Sequence, residues 1–232
     1  MKILLSFCLS LLLTTELLSQ VAIIQDKDGY TNVRKGADVK SEIIYKLVDN
    51  EVFFYYEESF DSNVDNANWV YVMIPRNKFS TVTDSENPYY YGYIHRSRLR
   101  PLIQLEQVSQ SNNHLIFQIS KVDTLQKQVD SLIDGFIPYG LEVYLHQSWE
   151  VTSLDLSCDS RIFPQPAILT KDLYNVTFNE GEYRSSLHRF KTYKKAGVTF
   201  IQQECGDGAG YYQIVWVVQN QRIKQRLVGW IY

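Results

Sequence analysis

Short runs of β-branched and aromatic residues, each closed by glycine, asparagine or aspartate, follow one another from Val21 almost to the end of the chain. Val21-Ala22-Ile23-Ile24, Tyr30 to Arg34, Ile43 to Leu47 and Val52 to Tyr56 are divided by Asp28-Gly29, Lys35-Gly36 and Asp49-Asn50. Trp69 to Ile74 and Tyr91 to His95 continue the series. Runs this short, rich in Val, Ile, Tyr and Phe, fit strands, and the Asp-Gly and Asp-Asn pairs fit the turns between them. Five or six strands in so short a stretch predict a small barrel, which removes most exposed strand edges by closing on itself.

The second half turns β again after an interval of different character. Residues 102–112 read as a linker or the approach to a strand, and a boundary at 103/104 follows. Val122, Leu125, Val129, Leu132 and Ile133 fall at helical spacing behind a capping Asp123, so one short helix fits there. Strands are expected over 115–119, 141–145, 151–156, 198–204, 211–218 and 222–232, the last two joined as a hairpin at Gln219-Asn220-Gln221. Two sheets burying their apolar faces against each other, a β-sandwich, is the simplest architecture for them. Arg222, Lys224 and Arg226 alternate, so they are expected on one face of an edge strand, where basic side chains oppose unwanted pairing. The fold class is therefore all-β: a small barrel over residues 20–103 followed by a sandwich-like domain over 104–232.

The N-terminus predicts export. Met1-Lys2, an apolar stretch from Ile3 to Leu13 and Ser19 behind Glu16 match the charged region, apolar region and small cleavage residue of a signal peptide over residues 1–19. That stretch is shorter than the roughly 20 residues a spanning helix needs, so no stable membrane span is expected. Phe7 stands where lipid-modifying processing at Cys8 would want a small residue. The expected place is the periplasm or the cell surface. There Cys158 and Cys205 fit one disulfide, the alternative being two separate buried thiols. The net charge of −3 provides no basic footprint for phosphates, so nucleic acid is not an expected partner.

The first half also resembles a known family. Tyr30-Thr31-Asn32-Val33-Arg34-Lys35-Gly36 is similar to the Leu-Asn-Val-Arg-x-Gly signature that opens bacterial SH3-like (SH3b) domains. Ser41 to Leu47, Asp49-Asn50-Glu51-Val52, Asn68-Trp69-Val70-Tyr71-Val72 and Gly92-Tyr93-Ile94-His95 through Leu99 follow in the family's order. The resemblance implies an SH3-like barrel that holds a peptide or a cell-wall component. In such a barrel Val33, Ile44, Leu47, Val52, Val70, Val72 and Ile94 would face inward. Arg34 would bond backbone carbonyls. The stretch from Ile74 to Tyr91 departs from the family by adding a polar loop, and a second polar loop runs from Ser59 to Asn68.

Aromatic side chains crowd these loops, and Tyr30, Trp69 and Tyr93 are the expected ligand-binding groove, since rigid rings offer large contact area with few rotors to freeze. The bland alternative is that strands favour aromatics. Arg96, Arg98 and Arg100 form a basic patch that is either solvated surface or a contact for an anionic wall polymer. Gly206-Asp207-Gly208-Ala209-Gly210 fits either an anion- or calcium-binding loop or a tight turn, and no metal or other cofactor is assigned. Asn175-Val176-Thr177 matches a glycosylation acceptor by pattern only.

Catalysis finds little support. SH3b domains often accompany cysteine peptidases, but Cys158 lacks a helical pattern after it and Cys205 lacks any histidine after it. His95, His114, His146 and His188 are scattered without zinc-type spacing. Glu180 or Glu182 against Glu204 are the carboxylate pairs worth placing. No catalytic residue is assigned, and the expected function is non-enzymatic binding of a peptide, of peptidoglycan or of another protein. An immunity-like inhibitor and a wall-peptide hydrolase are the alternatives.

Overall fold

A computed structural model of the chain describes residues 20–57, 65, 67–80, 87–109, 111–122, 133, 135–141, 148–176, 181–184, 190–205 and 210–230. The fold is all-β, and the helical segments among these residues are three-residue 3-10 turns. Seven strands come from the first half: β1 Gln20–Ile24, β2 Tyr30–Arg34, β3 Ile43–Val48, β4 Phe53–Tyr56, β5 Trp69–Pro75, β6 Tyr89–His95 and β7 Leu99–Pro101. Nine follow: β8 Glu106–Gln107, β9 Asn113–Lys121, β10 Trp149–Cys158, β11 Arg161–Pro164, β12 Gly181–Arg184, β13 Phe190–Lys195, β14 Val198–Cys205, β15 Tyr212–Gln219 and β16 Arg222–Trp230.

The first seven strands form one sheet in the order β3-β2-β6-β5-β4-β1-β7. Leu47 of β3 and Leu99 of β7, from the two ends of that order, share one apolar cluster with Ile24, Val33, Phe53, Val70, Val72 and Ile94, so the sheet is rolled around a single core. Gly92 permits the roll where β2 crosses β6: a Cβ there would come within 2.5 Å of the Arg34 carbonyl oxygen. Six of the seven residues expected to face inward belong to this core or pack against it. Val52 does not; it points the other way, for a reason that organises the molecule.

The remaining strands make a four-stranded sheet, β11-β10-β9-β12, and a five-stranded sheet, β16-β15-β14-β13-β8. The five-stranded sheet is the middle layer of three. Ile214, Trp216 and Val218 on one face of β15 bury against Leu115, Phe117, Leu154 and Leu156 of the four-stranded sheet. Val215 and Val217 on the other face bury against Val21, Ile23, Val52 and Phe54 of the rolled sheet. A strand buried on both faces has no polar face to alternate with, which is why the run from Ile214 to Val218 is continuously apolar. β1 obeys the same rule, with Val21 and Ile23 toward the middle sheet and Ala22 and Ile24 toward the roll's own core. The layers approach closely enough that a Cβ on Gly229 would lie 2.6 Å from the Phe54 ring.

Hairpin chemistry sets the registers of the second half. Asp159-Ser160, Ala196-Gly197 and Asn220-Gln221 each occupy a two-residue loop with both φ angles positive. That is the type I′ geometry whose twist matches the flanking strands. A bulge then corrects one expectation. Val217 pairs with Gln225 but Val218 pairs with Ile223, so Lys224 is an extra residue and the facing alternation resets. Arg222 and Lys224 stay exposed, whereas Arg226 is 2% exposed and turned inward.

Buried, Arg226 is fully engaged. Its Nε donates to the Phe79 carbonyl at 2.9 Å and its Nη1 to the Leu169 carbonyl at 2.9 Å. Nη2 pairs with Asp172 Oδ2. Its backbone N–H donates to the Lys78 carbonyl at 2.8 Å, so the described stem of the polar insertion after β5 covers the edge of β16 that basic side chains were expected to guard. Gln225 adds a two-way bond to Val52, accepting from its N–H at 2.9 Å and donating to its carbonyl at 2.8 Å. Lys78 reaches Glu51 at 3.4 Å, and Tyr45 donates to the same carboxylate at 2.7 Å.

The disulfide expected between Cys158 and Cys205 is not formed. Cys158 ends β10 in the four-stranded sheet, Cys205 ends β14 in the middle sheet, and both thiols fill the apolar core between those sheets as small side chains. Cys205 stands opposite Tyr212, whose hydroxyl donates to the Tyr174 carbonyl at 2.7 Å. Burial pushes the Cys158 thiol above its ordinary value, which withdraws the reactive thiolate.

Most of the helix expected between Val122 and Ile133 and most of the strand expected over 141–145 lie outside the described residues. Asn175 is buried with Nδ2 donating to the Gly140 carbonyl at 2.7 Å and Oδ1 accepting from Trp149 N–H at 2.9 Å, so it serves the fold and is inaccessible as a glycan acceptor.

Two outcomes follow. Asp172→Ala leaves a buried guanidinium without its counter-charge and should cost about 3–5 kcal/mol in urea unfolding, and a cost below about 1 kcal/mol would show that the pair does not hold the layers. The chain from residue 20 onward should release two titratable thiols in denaturant without reductant and almost none when native. A chain that shows none in denaturant would restore the disulfide.

Candidate functional site

The Asp26-Lys27-Asp28-Gly29 turn after β1 is built to fold back on the 3-10 turn Arg96–Arg98. Asp26 Oδ1 accepts the Asp28 N–H at 3.1 Å, Gly29 N–H donates to the Asp26 carbonyl at 3.2 Å, and Gly29 takes the positive φ of 73° that closes the turn. Gln25 N–H then donates to the Arg98 carbonyl at 2.9 Å, and Arg98 pairs with Asp26 at 2.6 Å. The Asp26 side chain is only 5% exposed, so this ion pair is a fixed wall.

Between this wall and β2 lies an open cleft of 420 Å³, into which come Tyr30, Arg34, Val39, Trp69, His95 and Asp28. Trp69 and His95 are partners across β5 and β6, with ring centroids 5.7 Å apart in an edge-on arrangement. His95 also caps the 3-10 turn, its Nδ1 2.8 Å from Ser97 Oγ. Tyr30 is 37% exposed, with Lys46 Nζ 3.4 Å over its ring. Arg34 donates from Nη1 to the Ser41 carbonyl at 2.7 Å, which pins the loop carrying Val39 to the cleft's rim.

Two of the three residues expected to form a groove, Tyr30 and Trp69, are thus brought together. Tyr93 stands elsewhere: it pairs with Tyr71 in register, ring centroids 5.3 Å apart, in an aromatic row that continues through Tyr91 and Tyr56. Burial pushes the Tyr71 hydroxyl up to about 12, so it stays a neutral hydrogen-bonding group at any physiological pH. The basic patch is largely neutralised, since Arg96 pairs with Glu57 at 2.6 Å and Arg98 with Asp26. What sequence reasoning missed is Asp26, Asp28, Val39 and His95 at the cleft. Asp28 read as a turn residue and Asp26 was not singled out; the Asp26–Arg98 pair that brings their turn to the cleft joins positions far apart in the chain.

The other candidates separate. Among the described residues no group of three His, Cys, Asp or Glu could hold a metal ion. The glycine-rich stretch 206–209, Glu180, His146 and His188 lie outside the described residues. Glu204 is 3.9 Å from Lys191 Nζ. A second cleft, lined by Asn112, His114, Ser157, Asp159, Ser160 and Ile162, presents no aromatic platform of Tyr or Trp. No helix among the described residues is long and apolar enough to cross a membrane.

No family model, curated protein or solved structure matches the chain.

Replacing Asp26 by Asn removes the counter-charge of Arg98 from a nearly buried position. It should cost about 1–3 kcal/mol of stability in denaturant unfolding. An Asp26→Asn chain as stable as the parent would show the cleft wall to be held by backbone bonds alone.

Proposed function

We propose that the chain is a non-enzymatic exported binding protein whose first-half barrel, built on an SH3b-like sequence pattern, holds a peptide of the cell wall in the Tyr30–Trp69 cleft. The observation that carries this reading is the coincidence of aromatic faces and opposite charges on one open surface: Tyr30, Trp69 and His95 with Asp28 and Arg34. Rings provide stacking area at low rotor cost, and the charges orient a polar chain lying on them. The cleft residues are separate from the apolar cluster that joins barrel to middle sheet, so occupying the cleft leaves the layers packed. Both cysteines are buried away from this surface in the core of the sandwich, which favours binding over thiol chemistry.

Co-sedimentation of residues 20–232 with purified peptidoglycan tests the reading. Retention is expected, and Trp69→Ala should weaken it about tenfold or more, as truncation of a central aromatic anchor does. Parent protein that stays in the supernatant would overturn wall binding and favour an inhibitor-like protein partner.

A further inference from the structure

The charges around the cleft are not equally available. Asp26 is held by Arg98 at 2.6 Å with its carboxylate nearly buried, and Arg34 is tied to the Ser41 carbonyl at 2.7 Å. Lys46 lies over the Tyr30 ring, 3.4 Å from its centroid. Asp28 differs from all of these. It is exposed at the cleft rim, its backbone N–H is the group that bonds to Asp26, and its own carboxylate has no hydrogen-bond or ion-pair partner among the described residues. Of the two carboxylates at the cleft, Asp28 is thus the one not paired with a cation, and it is set beside two aromatic rings.

From this we infer that the cleft selects a peptide bearing a free primary amine, the ammonium group pairing with Asp28 while the adjoining chain lies against Trp69 and Tyr30. The inference rests on the proposed wall-peptide reading and narrows it. An ammonium at an aromatic-lined rim gains from the carboxylate and, where it approaches a ring face, from the ring quadrupole. A carboxylate end placed at the same rim would meet Asp28 with like charge and would have to turn toward Arg34, whose bond to the neutral Ser41 carbonyl leaves its positive charge in place. A neutral glycan would leave the Asp28 charge unused, and rising salt should weaken an ammonium contact while sparing stacking.

The test uses residues 20–232 and purified peptidoglycan, native and after exhaustive N-acetylation of its peptide amines. Acetylation keeps the polymer insoluble and its chain intact while removing the positive charge. The native material should retain the protein about five- to tenfold better than the acetylated material. Asp28→Asn should bind both forms at the lower level, and Glu106→Gln, a charge removed from the second half, should behave as the parent. Asparagine ahead of a glycine suits the same turn as aspartate does, so the Asp28→Asn variant should fold. Equal retention of both materials by the parent overturns amine selection and leaves wall binding standing, whereas retention by neither overturns both.

Discussion

The layering of this fold depends on a sheet whose strand β15 is buried on both faces. The five-stranded layer buries Ile214, Trp216 and Val218 toward one neighbour and Val215 and Val217 toward another, and each neighbour must present apolar residues to match. The rolled sheet therefore cannot have a polar exterior throughout. Val21, Ile23, Val52 and Phe54 are apolar on its outside because that outside is an inside. At roughly 25 cal/mol per Å² of apolar surface removed from water, such a shared face contributes on the scale of a domain core, not of a loose inter-domain contact.

An apolar seam alone would let the layers slide, and polar groups at its margin prevent that. Gln225 bonds both backbone groups of Val52, and a shift of one residue along β16 would replace it with a side chain unable to do so. Arg226 ties three segments that are distant in the chain: the insertion stem at Phe79, the turn at Leu169, and Asp172. Tyr89 donates to the Val228 carbonyl at 3.0 Å and sits 3.0 Å from the Tyr139 hydroxyl, adding a phenol pair to the same margin. Burial pushes the Tyr89 hydroxyl up to about 12, which keeps it a donor. Such buried networks define register, because any misalignment leaves several groups unsatisfied at once.

This explains what could be read in the sequence. Strand existence was legible wherever a β-rich run met a turn signal, as at Tyr30 to Arg34 or 211–218, because those signals are local. Facing was legible where one side is wet, as with Val70 and Val72 of β5. It failed at Val52, where both sides of the strand are apolar and nothing local tells core from seam. The Lys224 bulge defeated the alternation argument for Arg226, since an inserted residue shifts facing without leaving a mark in composition. The cysteines were judged by compartment, whereas their pairing depends on where two different sheets place them. Tyr30 and Trp69 were legible as site candidates by chemistry, but Asp28 acquires its role only when the turn that carries it lands on the Arg96–Arg98 segment.

The same architecture bears on how firmly the proposed binding cleft is held. A recognition surface discriminates in proportion to how rigidly its groups are held, because a mobile carboxylate or ring can adjust to a wrong ligand as readily as to the right one. Here the backbone that carries these groups is held from several sides. The Asp26–Arg98 pair anchors the turn beneath Asp28, Arg34 anchors the loop bearing Val39, and Trp69 and His95 hold each other across adjacent strands. Behind them, β1 packs into a core on each face, so the turn that follows it starts from a strand buried on both sides. The doubly buried seam and the exposed cleft are thus parts of one arrangement: the first packs β1 on both faces, and the turn after β1 carries the charge that the second displays.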